Sequence, residues 1–109
     1  MRKIILLAVV FVFAWGIGIT VSAQKASGIK PGEGKFNELC ALCHPDGGNI
    51  INPKKTLHKK DREANNIRTE SDIIKVMRKP GPGMTTFDEK TVPDKEAQEI
   101  AKYVIMTFK

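Results

Sequence analysis

The chain has 109 residues, with 18 basic against 12 acidic side chains and a formal net charge of +6. Such a surplus can steer acidic partners, but it is too small to argue for nucleic acid as a ligand. With no internal repeat or low-complexity segment, the length leaves room for one domain behind a leader.

Met1, Arg2 and Lys3 precede an uncharged stretch of 20 residues from Ile4 to Ala23. A short basic region running into an apolar one reads as a secretory signal. Val21, Ser22 and Ala23 suit signal peptidase, which predicts cleavage before Gln24 and a mature domain of residues 24–109. The alternative is an uncleaved N-terminal anchor, since about 20 apolar residues are enough to span a bilayer. No cysteine stands near the cleavage point, so a lipoprotein anchor is not expected. Both readings put the domain outside the cytoplasm, and a periplasmic location is predicted. Loss of Arg2 and Lys3 leaves 16 basic against 12 acidic residues.

Gln24 to Pro31 is a polar lead-in. From Gly32 to Cys43, Phe36, Cys40 and Cys43 recur at i, i+4 and i+7, the inner stripe of a helix. At its end stand Cys40, Ala41, Leu42, Cys43 and His44, two thiols separated by two residues with an imidazole directly after. That spacing suits attachment of a c-type haem: the thiols reach the two vinyl groups on one porphyrin edge, and the histidine turns under the ring to bind the iron. A thioredoxin-like redox pair, half of a zinc site and a plain disulfide are the competing readings. A thioredoxin-like site wants alternating strands and helices, whereas Gly-rich loop and short helices follow here. Zinc wants further ligands, and the chain offers no third cysteine and only His44 and His58. Export supports haem attachment, because thiols left free outside the cytoplasm are liable to oxidise.

Pro45, Asp46, Gly47, Gly48 and Asn49 stop the first helix. Ile50 to Leu57 is expected to be irregular, with a turn at Asn52 and Pro53, and to wrap the haem edge on the His44 side. A nearby backbone carbonyl is expected to accept the second ring proton of His44. Lys54, Lys55, His58, Lys59, Lys60 and Arg62 cluster within nine positions, which reads first as a solvated face and second as a docking patch. A short helix is predicted over 59–65. Thr69 to Asp72 supplies N-cap chemistry for another, whose apolar stripe is Ile73, Ile74 and Met77 and whose end is Lys79 and Pro80.

Pro80, Gly81, Pro82 and Gly83 forbid a helix and present Met84 from a tightly turning path. A thioether so presented suits a distal iron ligand, and Met/His ligation raises the reduction potential of an electron-carrying haem. Met77 and Met106 compete with it but sit on helical stripes, where methionine usually packs. His58 also competes, from the basic run 14 residues after His44.

The last helix is predicted over 94–107, with Pro93 and Asp94 in its first turn and Ala97, Ile100, Ala101, Val104 and Phe108 on one face. Ala97 and Ala101 would let it approach the first helix near Phe36. Tyr103 is read equally as bordering the haem or as plain packing. Beyond the leader only Phe36, Phe87, Tyr103 and Phe108 are aromatic. A domain of this size has little core to spare, so the porphyrin is expected to supply apolar volume and the haem-free chain to fold poorly.

These residues resemble a known family. The Cys40 to His44 motif is that of class I c-type cytochromes. Gly48-Asn49, Lys55-Thr56-Leu57, the Pro-Gly run into Met84 with Phe87 after it, and Ile100 to Val104 are similar to the small cytochrome c6-like group. The resemblance implies a compact all-α fold of about four helices around one haem c attached through Cys40 and Cys43, with the first and last helices crossing. It also implies His44 and Met84 as axial ligands. It further implies a monomeric one-electron carrier, not an enzyme, shuttling between larger redox proteins such as other cytochromes or membrane oxidoreductases. Thr85 and Thr86 depart from the Pro-Ala frequent in relatives, which predicts a less rigid loop. The rival functions are a haem sensor or peroxidase-like enzyme with an open or displaceable distal site, and an assembly role with haem only as a folding core.

Overall fold

The computed structural model describes residues 30–109, so the predicted signal and its cleavage point lie outside the described residues. Four α-helices follow in order: α1 over Glu33–Leu39, α2 over Lys59–Ala64, α3 over Glu70–Arg78 and α4 over Asp94–Thr107. One 3-10 turn, Pro45–Gly47, lies between α1 and α2, and no strand occurs among the described residues. The all-helical architecture is the one the sequence predicts, and α4 has the predicted bounds.

Each helix end has a local cause. In α1, Glu33 places a carboxylate at the positive end of the helix, where its side chain also accepts from the Lys30 N–H at 3.0 Å. α2 closes with the Ile67 N–H reaching back to the Arg62 carbonyl at 2.8 Å and the Asn66 N–H to Glu63 at 3.1 Å. Asn66 takes a positive φ of 61° between them, the left-handed residue of a Schellman stop. α3 starts with a reciprocal cap: Thr69 Oγ1 accepts from the Asp72 N–H, and the Asp72 carboxylate accepts from the Thr69 N–H.

Packing is organised by α4, which lies against both α1 and α3. Ala97, Ile100, Ala101 and Val104 are its buried face, and Phe36 of α1 with Ile73 and Met77 of α3 meet it. Val92, just before α4, is fully buried with them. Phe36, Tyr103 and Phe108 form an aromatic cluster, with ring centroids 5.2 Å apart for Phe36 and Tyr103 and 5.4 Å for Phe36 and Phe108. Tyr103 is therefore a packing residue. Edge-on to Phe108 stands His58, at 5.7 Å between centroids.

α1 reaches α4 through Gly32. A Cβ there would overlap the Glu99 backbone carbonyl, and the residue holds φ at +84°. Ala97 and Ala101 are fully buried on α4, and the contact with α1 that admits no side chain is at Gly32. Gly32→Ala is expected to lower the unfolding free energy by about 3 kcal/mol, from the left-handed backbone and the overlap together, as read by denaturant titration.

The α3 cap carries a pH signature. The Arg68 N–H, then the Thr69 N–H, hold the Asp72 carboxyl below its usual range. A carboxylate with a depressed native pKa contributes stability that is complete above its unfolded value, about 4, and is lost as pH falls through the lower native value. Asp72→Asn should therefore be less stable than wild type near pH 6, with the gap shrinking below about pH 4, as read by urea unfolding at each pH.

Candidate haem site

The Cys40 to His44 segment continues from α1 as a wider coil. The Cys40 and Ala41 N–H groups both return to the Phe36 carbonyl, at 2.8 and 2.9 Å, so the chain unwinds to a five-residue step at Ala41. The regular helix consequently ends at Leu39, short of the predicted Cys43. Cys43 and His44 then both donate to the Cys40 carbonyl, at 3.1 and 2.9 Å, which folds the motif into one tight turn. Cys40 is half-buried and Cys43 exposed, and the two form no disulfide. Burial, with a smaller contribution from Cys43, pushes the Cys40 thiol up to about 11. A thioredoxin-like nucleophile needs the opposite shift.

His44 is fixed by the turn that follows. Its Nδ1 lies 2.7 Å from the Gly48 carbonyl, which is the backbone acceptor the sequence predicted without naming. With Nδ1 occupied as a donor, Nε2 is left to bind a metal. The turn rests on the aromatic cluster: Gly47 has φ +79°, and a Cβ there would overlap the Phe108 ring. Farther along, Asn49 Oδ1 accepts from the Ile51 and Asn52 N–H groups at 2.9 and 2.8 Å, and its Nδ2 donates to the Lys55 carbonyl at 2.9 Å. One amide thus holds the irregular wall over 49–55.

Met84 stands on another wall, in the non-helical loop predicted for it. Gly83, at φ +88°, brings that loop against Ile51; a Cβ would lie 3.3 Å from Ile51 Cγ2. The downstream end is tied by the Phe87 N–H to the Met77 carbonyl at 2.9 Å. Arg78 adds a clamp, with Nη1 donating to the carbonyls of Phe87 at 3.0 Å and Val92 at 2.8 Å, and Nη2 pairing with Asp94 at 2.7 Å. Sequence reasoning missed this residue. The one available signal is a cation in the last turn of a helix that runs into a loop rich in unpaired carbonyls.

Between these walls lies a cavity of about 310 Å³. Cys40, Cys43, His44 and Met84 all line it, so the structure brings the four predicted site residues together. Phe36, Ile73, Ile100 and Val104 supply apolar surface, and Asn49, Asn52, Lys55 and Arg62 supply polar groups. Of the competing sulfur and nitrogen donors, Met77 also lines the cavity, as part of the buried core, whereas His58 and Met106 do not. Arg62 overturns one reading: it belongs to the basic run in sequence, yet it is buried, while Lys54, Lys55, Lys59 and Lys60 are exposed. Two thiols at one edge, an oriented imidazole, a thioether and an apolar interior fit a flat macrocycle with a central metal.

The family model described as cytochrome c oxidase, cbb3-type, subunit III matches residues 27–104. The cytochrome c6 of Rippkaea orientalis is 34% identical over 104 residues, spanning 95% of this chain and 91% of that protein. The chain belongs to the class I c-type cytochromes. Among solved structures, the outer-membrane cytochrome OmcF of Geobacter sulfurreducens is 46% identical, with a TM-score of 0.70, over 72% of this chain and 99% of that one. Oxidised cytochrome c6A of Arabidopsis thaliana is 34% identical, with a TM-score of 0.62, over 70% of this chain and 85% of that one. The cytochrome is thus a small member of a class of haem proteins that carry electrons, and membership implies a covalently bound haem c. None of the described helices is long and apolar enough to cross a membrane.

In this cytochrome Arg78 ties the methionine loop to the start of α4. Arg78→Ala should lower the stability of the holoprotein by about 2 to 3 kcal/mol, since two half-buried carbonyls lose a charged donor. Amide hydrogen exchange should quicken at Phe87, the far end of the loop.

Proposed function

We propose that the cytochrome is a monomeric periplasmic one-electron carrier whose haem is attached through Cys40 and Cys43 and ligated axially by His44 and Met84. The observation that carries this reading is the convergence of those four side chains on one cavity with an apolar interior. The Gly48 carbonyl orients the His44 ring so that Nε2 serves as the proximal donor. Met84 is preferred to Met77 as the distal donor: it comes from a loop held at both flanks by Ile51 and Arg78, while Met77 is packed among core side chains at 4% exposure. The basic and apolar leader supports export and removal of residues 1–23.

When bound, the haem supplies a single iron that alternates between ferrous and ferric states. With His44 and Met84 both holding the iron, no substrate would need to enter. Leu42, Ile50 and Ile51 expose apolar side chains, with Ile51 at the cavity and Leu42 within the attachment motif. Such a rim suits brief contact with larger redox proteins, other cytochromes or membrane oxidoreductases, because a shuttle must release its partner.

The deciding experiment compares visible spectra of wild-type and Met84→Ala holoprotein. The oxidised wild type should show the weak far-red band of methionine-to-iron charge transfer, and the variant should lack it, bind carbon monoxide when reduced and have a lower midpoint potential. A wild type that lacks the band and binds carbon monoxide readily would instead establish a sensor or peroxidase-like site.

A further inference from the structure

From Pro80 to Thr86 the loop that carries Met84 makes no hydrogen bond to the rest of the chain among the described residues. Gly81, Pro82, Gly83, Thr85 and Thr86 are all exposed, and Met84 between them is half-buried. Upstream, the loop leans on Ile51 through Gly83. Downstream, it is pinned at Phe87, whose N–H reaches the Met77 carbonyl and whose own carbonyl accepts from Arg78. Only Thr85 and Thr86 separate that pin from the methionine, and neither has a ring to fix its φ. The slack of the loop therefore lies between its ligand and its downstream pin.

Arg78 does more at the pin than hold Phe87. Both hydrogens of Nη1 are spent on backbone carbonyls, Phe87 at 3.0 Å and Val92 at 2.8 Å, while Nη2 pairs with Asp94 at 2.7 Å. One side chain thereby closes residues 87–94 onto the last turn of α3. The guanidinium side chain is 18% exposed and its carboxylate partner 70%. Asp94 consequently adds little binding strength and serves to orient the fork, whereas the two part-buried carbonyls lose their donor if Arg78 goes. What then remains at the pin is one backbone bond beside an exposed, unbonded loop, the kind of segment that opens without unfolding the helices.

We propose that Arg78 is the positioning residue of the distal ligand: it latches the downstream end of the loop and so sets how often Met84 leaves the iron. The inference rests on the His44 and Met84 reading above and deepens it, from which atoms hold the iron to what keeps one of them in place.

The test is the rate at which ferric holoprotein binds cyanide at fixed pH, because cyanide gains the iron only while Met84 is off it. Arg78→Gln should bind cyanide at least about tenfold faster than wild type, since loss of a charged hydrogen bond shifts an opening equilibrium by about that factor. Arg78→Lys should fall between the two, and Asp72→Asn, altered at the far end of α3, should match wild type. The acceleration should be present without urea and change little as urea is added, because a local opening exposes little surface. If Arg78 acts only on overall stability, the acceleration grows steeply with urea as global unfolding does, and the proposal fails; it fails equally if the rate is unmoved. Should Arg78→Gln not accumulate with haem, Arg78→Lys decides, and a rate equal to wild type overturns the proposal. A wild type without the far-red band overturns Met84 ligation itself. A wild type that has the band, with a cyanide rate indifferent to residue 78, overturns only the role of Arg78.

Discussion

The close approach of α1 to the α4 backbone at Gly32 is the constraint on which the rest depends. α1 is only seven residues long and cannot hold a place by its own hydrogen bonds. It is fixed because Gly32 sits against the Glu99 carbonyl and Phe36 enters the aromatic cluster. The attachment motif leaves directly from the end of this short helix. A shift of α1 along α4 would carry Cys40, Cys43 and His44 with it, away from the wall that carries Met84.

That wall is held by a different kind of interaction. The downstream end of the Met84 loop is tied by Arg78, which bridges two carbonyls and a carboxylate, and by the Phe87 N–H on the Met77 carbonyl. The 49–55 wall is held similarly, by the Asn49 amide. The cavity therefore has an apolar interior set by helix packing and two irregular sides set by single polar side chains. Relaxing a side loosens the approach to the site while leaving the core intact.

Much of this was legible in the sequence, and the failures share a cause. α3 and α4 were readable because Thr69, Asp72, Pro93 and Asp94 act within one turn and the apolar stripes repeat at helical spacing. The cavity-lining set of Cys40, Cys43, His44 and Met84 was readable because the motif is local and the Pro-Gly run excludes a helix. α1 was drawn too long because the i, i+4, i+7 spacing persists through a coil that widens at Ala41. Arg62 and Arg78 were not readable as structural residues. Their partners, Phe108 and Val92 among them, are 46 and 14 positions away, and one-dimensional spacing carries no record of such bonds.

The seat of the His44 turn has a consequence for the order of assembly. Gly47 rests on the ring of Phe108, and the same ring closes the aromatic cluster. During synthesis the thiols and the imidazole emerge long before that ring does. Until the chain has grown through Phe108, the turn that aims His44 has nothing beneath it, so the cofactor-bearing end of the domain is made first and shaped last.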